Sequence, residues 1–122
     1  MQFVEPIKAA AGIILTNEPD PRVLLARRSQ ALRFMAGYHV FPGGRIDDEE
    51  PTAPVIGALD TTEAAAVHAV AREIFEETGL LIADGTLPDR EIVRAARVAI
   101  LDGKDTFDAF LDRHNLTIDA TR

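Results

Sequence analysis

The sequence contains no cysteine, so it can form neither a disulfide bond nor a thiol nucleophile. Basic residues are also fewer than acidic ones: the sequence has 13 Lys and Arg and 20 Asp and Glu, which gives a formal net charge of −7. This charge disfavours nucleic-acid backbones and anionic membranes as partners. An anionic substrate would need a metal ion and local arginines to offset the negative field of the protein.

Long hydrophobic runs are missing as well. The apolar stretch 9–15 is too short to span a membrane, and the preceding residues, with Glu5 and a lone Lys8, make a poor signal-peptide start. We therefore expect a soluble, cytoplasmic protein. Since the 122 residues contain neither an internal repeat nor a long linker, one domain over residues 1–122 is expected.

The first part of the chain carries β-strand patterns. Apolar runs at 7–16 and 22–28 predict two strands of a hairpin, and a short strand at 39–41 is expected to end at the turn 42–44. The stretch 47–59 holds four consecutive acidic residues and two prolines, and it lacks the alternating ligand spacing of a calcium loop. We interpret it as a solvated loop.

Helical patterns follow. Asp60 and Glu63 form a capping box for a main helix over about 61–78, which Gly79 ends. A short strand is expected at 80–83, and residues 86–122 are expected to be helical. One further helix is expected to start near Pro88 and to end at Gly103, with an apolar face formed by Ile92, Val93, Ala96 and Ile100. Asp105 is expected to cap a last helix, whose apolar residues are Phe107, Phe110 and Leu111. The pattern predicts an α/β fold, a mixed sheet with flanking helices.

Three carboxylates converge on one side of the main helix. Glu73, Glu76 and Glu77 are three and four positions apart, and Arg72 is one turn before Glu76 and can pair with it. The other side is apolar, through Val67, Val70, Ala71, Ile74 and Phe75. Such carboxylates repel one another unless a hard divalent cation lies between them, and oxygen ligands suit Mg²⁺ or Mn²⁺. The alternative is a solvated acidic face.

The segment 72–80, REIFEETGL, together with the upstream 41–44, FPGG, resembles the box of the Nudix hydrolase family. The resemblance implies a Nudix-like α/β/α sandwich that hydrolyses a nucleoside diphosphate linked to another moiety, with Mg²⁺ or Mn²⁺ as cofactor. It also implies residue roles: Glu76 and Glu77 are metal ligands, Glu73 is a ligand or the general base, Arg72 orients these carboxylates, and the Gly44 carbonyl is a backbone ligand.

The box departs from the family pattern in its first half. Between Gly44 and Arg72 lie 27 residues, which is an insertion of about fourteen. Counted back from Arg72, the first glutamate of the box falls at Ala64, with Glu63 beside it. In the family that glutamate is mainly structural, so its loss weakens the match more than the mechanism.

The insertion and the segment 27–47 resemble the peroxisomal-type coenzyme A diphosphatases and their bacterial relatives. The resemblance implies CoA or acyl-CoA as substrate and assigns substrate phosphates to Arg27, Arg28 and Arg33. The alternative is that these arginines only occupy a strand edge and a loop. We interpret His39 and His68 as structural.

The family's fold needs more strands after the box helix, yet residues after Gly85 show little strand pattern. We therefore expect either a homodimer or a longer parent chain. Two alternatives to a hydrolase stay open: a Nudix-like module that binds a nucleotide without cleaving it, and an inactive truncated fragment.

Overall fold

Three two-stranded sheets and three helices make up residues 8–122, the part of the chain that the computed structural model describes. Antiparallel pairs join β1 to β4 and β2 to β3, and a parallel pair joins β5 to β6. The strands are β1 (Ala9–Ala11), β2 (Ala26–Arg27), β3 (His39–Val40), β4 (Gly43–Arg45), β5 (Val55–Ile56) and β6 (Ile118–Asp119).

Helix α1 (Thr61–Thr78) has the bounds that the capping residues predict. The Asp60 side chain accepts the N–H of Glu63 at 2.8 Å. The Glu63 carboxylate reaches back one residue further than a capping box requires, since it accepts the N–H of Leu59 rather than that of Asp60. At the other end Gly79 has φ 78° and donates its N–H to the Phe75 carbonyl, so it closes the helix in a conformation that favours glycine.

Helices α2 (Arg90–Leu101) and α3 (Phe107–Arg113) follow. The expectation that Asp105 caps α3 is wrong, because the cap is Thr106, whose hydroxyl accepts the N–H of Ala109 at 3.3 Å. Thr106 has the extended backbone that a capping residue needs, and Asp105 instead accepts the N–H of Thr106.

The core lies between α1 and α3. The ring of Phe75 on α1 stacks on Phe110 with centroids 5.9 Å apart and also contacts Phe107 at 5.6 Å. These rings are fully buried, and burial of such side chains provides most of the driving force for folding. The buried cluster consists of Ala71, Phe75, Phe107, Phe110, Leu111, Leu116 and Ile118.

Several local predictions are wrong. Residues 80–83 form no strand, and only an isolated bridge joins Asp84 to Thr117. The expected loop 47–59 contains β5, and the segment 86–122, expected to be helical, ends in β6. Each of these strands has two residues, too few to show alternation, and each forms by pairing with a partner far away in the sequence.

The glycine turn expected at 42–44 is mostly strand, since β4 begins at Gly43 and pairs with β1. The expected hairpin is present as a bridge between Leu15 and Val23. Helix α1 packs on β1 and β4, and this contact places β4 beside the last two turns of the helix. None of the helices within residues 8–122 has the length and apolar character needed to cross a membrane.

Arg97 of α2 caps the C-terminal end of α1. Its guanidinium donates to the Phe75 carbonyl at 3.1 Å and to the Glu76 carbonyl at 3.0 and 2.6 Å. The last turn of α1 contains no basic residue of its own, so Arg97 provides the positive charge that complements the helix dipole. This contact fixes the end of α1 that carries the carboxylates.

Replacing Arg97 with methionine should lower the free energy of unfolding by about 2 kcal/mol, because partly buried carbonyls lose a charged donor while the aliphatic stem is kept. Urea unfolding followed by circular dichroism measures this. The control is Arg94→Met on the exposed side of the same helix, which should change stability by less than about 0.5 kcal/mol. Equal stability of the two variants would contradict the capping role.

Candidate active site

Strand β4 approaches α1 closely because residue 44 has no side chain. A Cβ atom at Gly44 would lie 2.5 Å from the Cδ atom of Glu73, so any other residue here would displace the Glu73 carboxylate. One residue earlier, the N–H of Gly43 donates to Oε2 of Glu77 at 3.2 Å. Gly43 therefore brings its backbone N–H to Glu77, and Gly44 lets the strand come close to Glu73.

Arg72 connects the remaining carboxylates. Its Nη1 donates to Oε1 of Glu73 at 3.1 Å and to Oε2 of Glu76 at 3.4 Å. Its Nη2 donates to the Arg45 carbonyl at 3.2 Å, at the end of β4. The structure thus places Glu73 between Arg72 and Gly44, Glu76 beside Arg72, and Glu77 beside Gly43.

The carboxyl groups of Glu76 and Glu77 have pKa values above their ordinary value. Burial is the largest cause for both, and the negative charge of Glu73 adds to it. The positive charge of Arg72 opposes the rise in the pKa of Glu76, while the Gly43 N–H and the charge of Arg28 oppose it for Glu77. Crowded negative charge of this kind is relieved when a cation binds.

The donor set fits a hard divalent cation. Three carboxylates and the neighbouring backbone carbonyls of β4 offer oxygen ligands alone, the chemistry that Mg²⁺ and Mn²⁺ prefer. Within residues 8–122, however, no three acidic or histidine side chains are already gathered around a single point as ligands. Arg72 occupies Glu73 and Glu76 and the Gly43 N–H occupies Glu77, so cation binding would have to compete with these contacts.

Glu50 is a site residue that the sequence interpretation missed. It was assigned to a solvated loop, yet its side chain is 1% exposed and binds Arg72. Nε of Arg72 donates to Oε1 of Glu50 at 3.0 Å and Nη2 donates to Oε2 at 3.3 Å. The placement of the first box glutamate at Ala64 or Glu63 is wrong, because Glu50 fills that role while Ala64 is buried and apolar.

A different count along the sequence could have found Glu50. Counted forward from Gly44 with the box's own spacing, the glutamate falls at residue 50, so the insertion lies after Glu50 and leaves the first half of the box intact. Burial raises the pKa of Glu50, but hydrogen bonds from Arg72, His68 and the Asp47 N–H outweigh it and hold the pKa below 4.5. Glu50 is therefore a charged, buried partner of Arg72.

The three predicted phosphate-binding arginines lie in different settings. Nε of Arg27 donates to the Gly37 carbonyl and Nε of Arg28 to the Phe34 carbonyl, so both hold the loop 28–38. Arg28 is also close enough to Glu77 to lower the pKa of that carboxyl. Arg33 is exposed, and no hydrogen bond in the described chain joins it to the carboxylates.

The variant Glu50→Gln should lower the free energy of unfolding at pH 7 by about 3 kcal/mol, because it leaves the charge of Arg72 without its buried partner. Since folding lowers the pKa of Glu50, its stabilisation is complete above pH 4.5 and is lost as the pH falls through the lower folded value. The difference between the wild type and the variant should therefore shrink in acid.

Urea unfolding between pH 7 and pH 3 tests this expectation. The control is Glu49→Gln, the same chemical change at the exposed neighbouring residue, which should alter stability by less than about 0.5 kcal/mol. A stability difference for Glu50→Gln that is absent at pH 7, or that grows in acid, would contradict the assignment.

Comparison with known proteins agrees with this geometry. The crystal structure of a NUDIX hydrolase from Alicyclobacillus acidocaldarius is similar to 98% of this chain and 59% of that one, with a TM-score of 0.76 and 25% sequence identity. A Caenorhabditis elegans protein provisionally named nudix hydrolase 7 is 40% identical over 74 residues, 61% of this chain and 22% of its own length. The uncharacterized Nudix hydrolase NudL of Escherichia coli K12 is 37% identical over 67 residues, 55% of this chain and 35% of its own.

The chain thus spans about a third or less of the length of these curated relatives. The family described as NUDIX domain matches residues 6–106, which include every carboxylate of the site and both of its glycines. That match covers most of the sequence, and the chain therefore belongs to the NUDIX domain family.

Proposed function

We propose that this protein is a divalent-metal-dependent hydrolase of a nucleoside diphosphate linked to another moiety. The observation that carries the proposal is the placement of Glu73 and Glu77 against the Gly43–Gly44 backbone, with Arg72 joining Glu73 to Glu76. A binding surface alone has no need of three carboxylates whose repulsion has to be neutralised.

In this proposal each residue of the site has its own role in metal binding or catalysis. Glu76, Glu77 and the Gly44 carbonyl would hold Mg²⁺ or Mn²⁺, which when bound supplies charge neutralisation for the pyrophosphate and activates water. Glu73 would act as a further ligand or as the general base that accepts a proton from the attacking water. Arg72 orients Glu73 and Glu76 through Nη1.

Arg28 is the best placed of the three arginines to bind a substrate phosphate. Its charge acts on Glu77, so it lies beside the carboxylates, whereas its Nε is bonded within the loop 28–38. The terminal guanidinium nitrogens provide planar donors that match phosphate oxygens. We assign Arg27 and Arg33 to the same substrate-binding group, because Arg27 is bonded to the same loop and Arg33 is an exposed residue within it.

We further propose CoA or acyl-CoA as the substrate, cleaved at its diphosphate to 4′-phosphopantetheine, or its acyl derivative, and adenosine 3′,5′-bisphosphate. The support is the similarity of the segment 27–47 to the coenzyme A diphosphatase pattern, together with the insertion between Glu50 and Arg72. Phe34 and Tyr38 in this segment are 71% and 60% exposed, so aromatic faces are available beside the arginines for a nucleobase.

A nucleotide-binding module without hydrolysis is the second candidate. The observation in its favour is that Arg72 and the Gly43 N–H already occupy the carboxylates, and no ligand cluster is closed within residues 8–122. Calorimetry that detects nucleotide binding, together with the absence of product in every assay, would favour this candidate. A cytoplasmic location and a homodimer stay predictions.

Glu76→Gln should lower turnover by more than about 100-fold, because it removes a metal ligand and residues that merely support ligands already cost 10- to 100-fold. Product release with Mg²⁺ or Mn²⁺ measures the effect, and the thermal midpoint should stay close to that of the wild type. The matched control is again Glu49→Gln, an exposed residue whose loss of charge should leave turnover unchanged. Wild-type turnover in Glu76→Gln at limiting Mg²⁺ would refute the ligand assignment.

The substrate proposal is tested by mass spectrometry of products from CoA, acetyl-CoA, NADH, ADP-ribose and dinucleoside polyphosphates. CoA should be cleaved with the highest kcat/KM, and Arg28→Gln should raise KM by about tenfold, as expected for the loss of one charged hydrogen bond. The control is Arg22→Gln at the hairpin, which should not change KM. Preferential cleavage of another diphosphate would support the proposed hydrolase activity and overturn the proposal that CoA is the substrate.

A further inference from the structure

His68 lies on α1 one turn before Arg72, and its side chain is 1% exposed. Its ring contacts that of Phe107 on α3, with the centroids 5.5 Å apart. Nε2 of this ring is buried, with no hydrogen-bond partner in the described part of the chain. A buried histidine with one bonded and one unbonded nitrogen needs an explanation beyond packing.

Nδ1 of His68 lies 2.5 Å from Oε1 of Glu50. The same oxygen accepts Nε of Arg72 at 3.0 Å, and the other Glu50 oxygen accepts the Asp47 N–H at 3.1 Å and Nη2 of Arg72 at 3.3 Å. Glu50 is thus held by donors from its own loop and from two consecutive turns of α1. His68 is more deeply buried than Arg72, whose side chain is 16% exposed.

The hydrogen bonds determine where the ring proton lies. Arg72 and the Asp47 N–H are donors only, so Glu50 is an acceptor and Nδ1 of His68 must be the donor to it. A second proton on Nε2 would leave a buried, charged N–H without a partner, in a cluster that already contains the charge of Arg72. The hydrogen bonds therefore assign the ring proton to Nδ1.

We infer that His68 is a positioning residue for Arg72: by donating from Nδ1 to Glu50, it fixes the carboxylate that aims the Arg72 guanidinium at Glu73 and Glu76. The planar guanidinium of Arg72 donates hydrogen bonds to four acceptors at once, namely Glu50, Glu73, Glu76 and the Arg45 carbonyl. That geometry requires Glu50 to keep one orientation, and Nδ1 of His68 removes its freedom to rotate. The assignment goes beyond the proposed function, and its effect on catalysis rests on that function.

The first experiment needs neither metal nor substrate. Nitrogen-15 NMR of the full chain should show His68 protonated at Nδ1 and unprotonated at Nε2, and a slowly exchanging Nε–H of Arg72. His68→Phe fills the same space without a donor and should speed exchange of that Nε–H at least about tenfold. His68→Asn, whose amide nitrogen takes the place of Nδ1, should restore slow exchange.

Phe107→Leu is the control for effects that come only from a loss of stability, because it loosens the packing against His68 but leaves Nδ1 in place. This variant should lower the thermal midpoint and keep the slow exchange of Arg72. His68→Leu replaces His68→Phe if the larger ring prevents folding. An Nε2-protonated ring, unchanged exchange in the variants without a donor, or equal effects in Phe107→Leu would overturn the inference.

The second experiment measures kinetics at saturating Mg²⁺. His68→Phe should lower kcat about 10- to 100-fold with KM nearly unchanged, as expected for a residue that acts through another, and His68→Asn should recover to within about threefold of the wild type. If the wild type cleaves no diphosphate, the proposed function fails while the NMR result still decides the role of His68. An Asn variant as slow as the Phe variant would refute the positioning role.

Discussion

The ion pair between Glu50 and Arg72 is the constraint on which the site depends. Removing two charges from water is costly, and the cost is offset only when the remaining hydrogen-bonding groups are satisfied. Here the Asp47 N–H and His68 satisfy Glu50, while the Arg45 carbonyl, Glu73 and Glu76 satisfy Arg72. The pair therefore fixes the loop after β4 against α1, and the orientation of Glu73 and Glu76 beside Arg72 follows from it.

The C-terminal end of α1 is fixed by two other contacts. Gly79 ends the helix in a left-handed conformation, and Arg97 from α2 neutralises the carbonyls of the last turn. Between these two anchors, Phe75 and the rings of α3 hold the opposite face of the helix in the core. The carboxylates thus lie on a stretch of α1 that is held at Arg72, at the C-terminal end of the helix and along its apolar side, and such rigid support favours a precise geometry of the site.

Local patterns predicted much of this arrangement. The helix 61–78, its Gly79 stop and the three carboxylates follow from residues close together in sequence, where capping and helical periodicity operate. Local patterns did not predict the pairing of β5 with β6 or the contacts of Arg97, because both depend on partners far away along the chain. Glu50 was missed for a different reason, since its acidic neighbours 47–49 make it resemble solvated loop.

The position of the insertion explains why the site tolerates it. The segment from Gly44 to Glu50 keeps the spacing of the box, so the loop that delivers Glu50 to Arg72 keeps its length. The extra residues come between Glu50 and α1, where lengthening a loop costs little entropy. Two of these extra residues, Val55 and Ile56, form β5, which pairs with β6 near the C-terminal end of the chain. The insertion thereby contributes one strand to the sheet of β5 and β6, which packs against α1, and it leaves the carboxylates where the glycines and Arg72 place them.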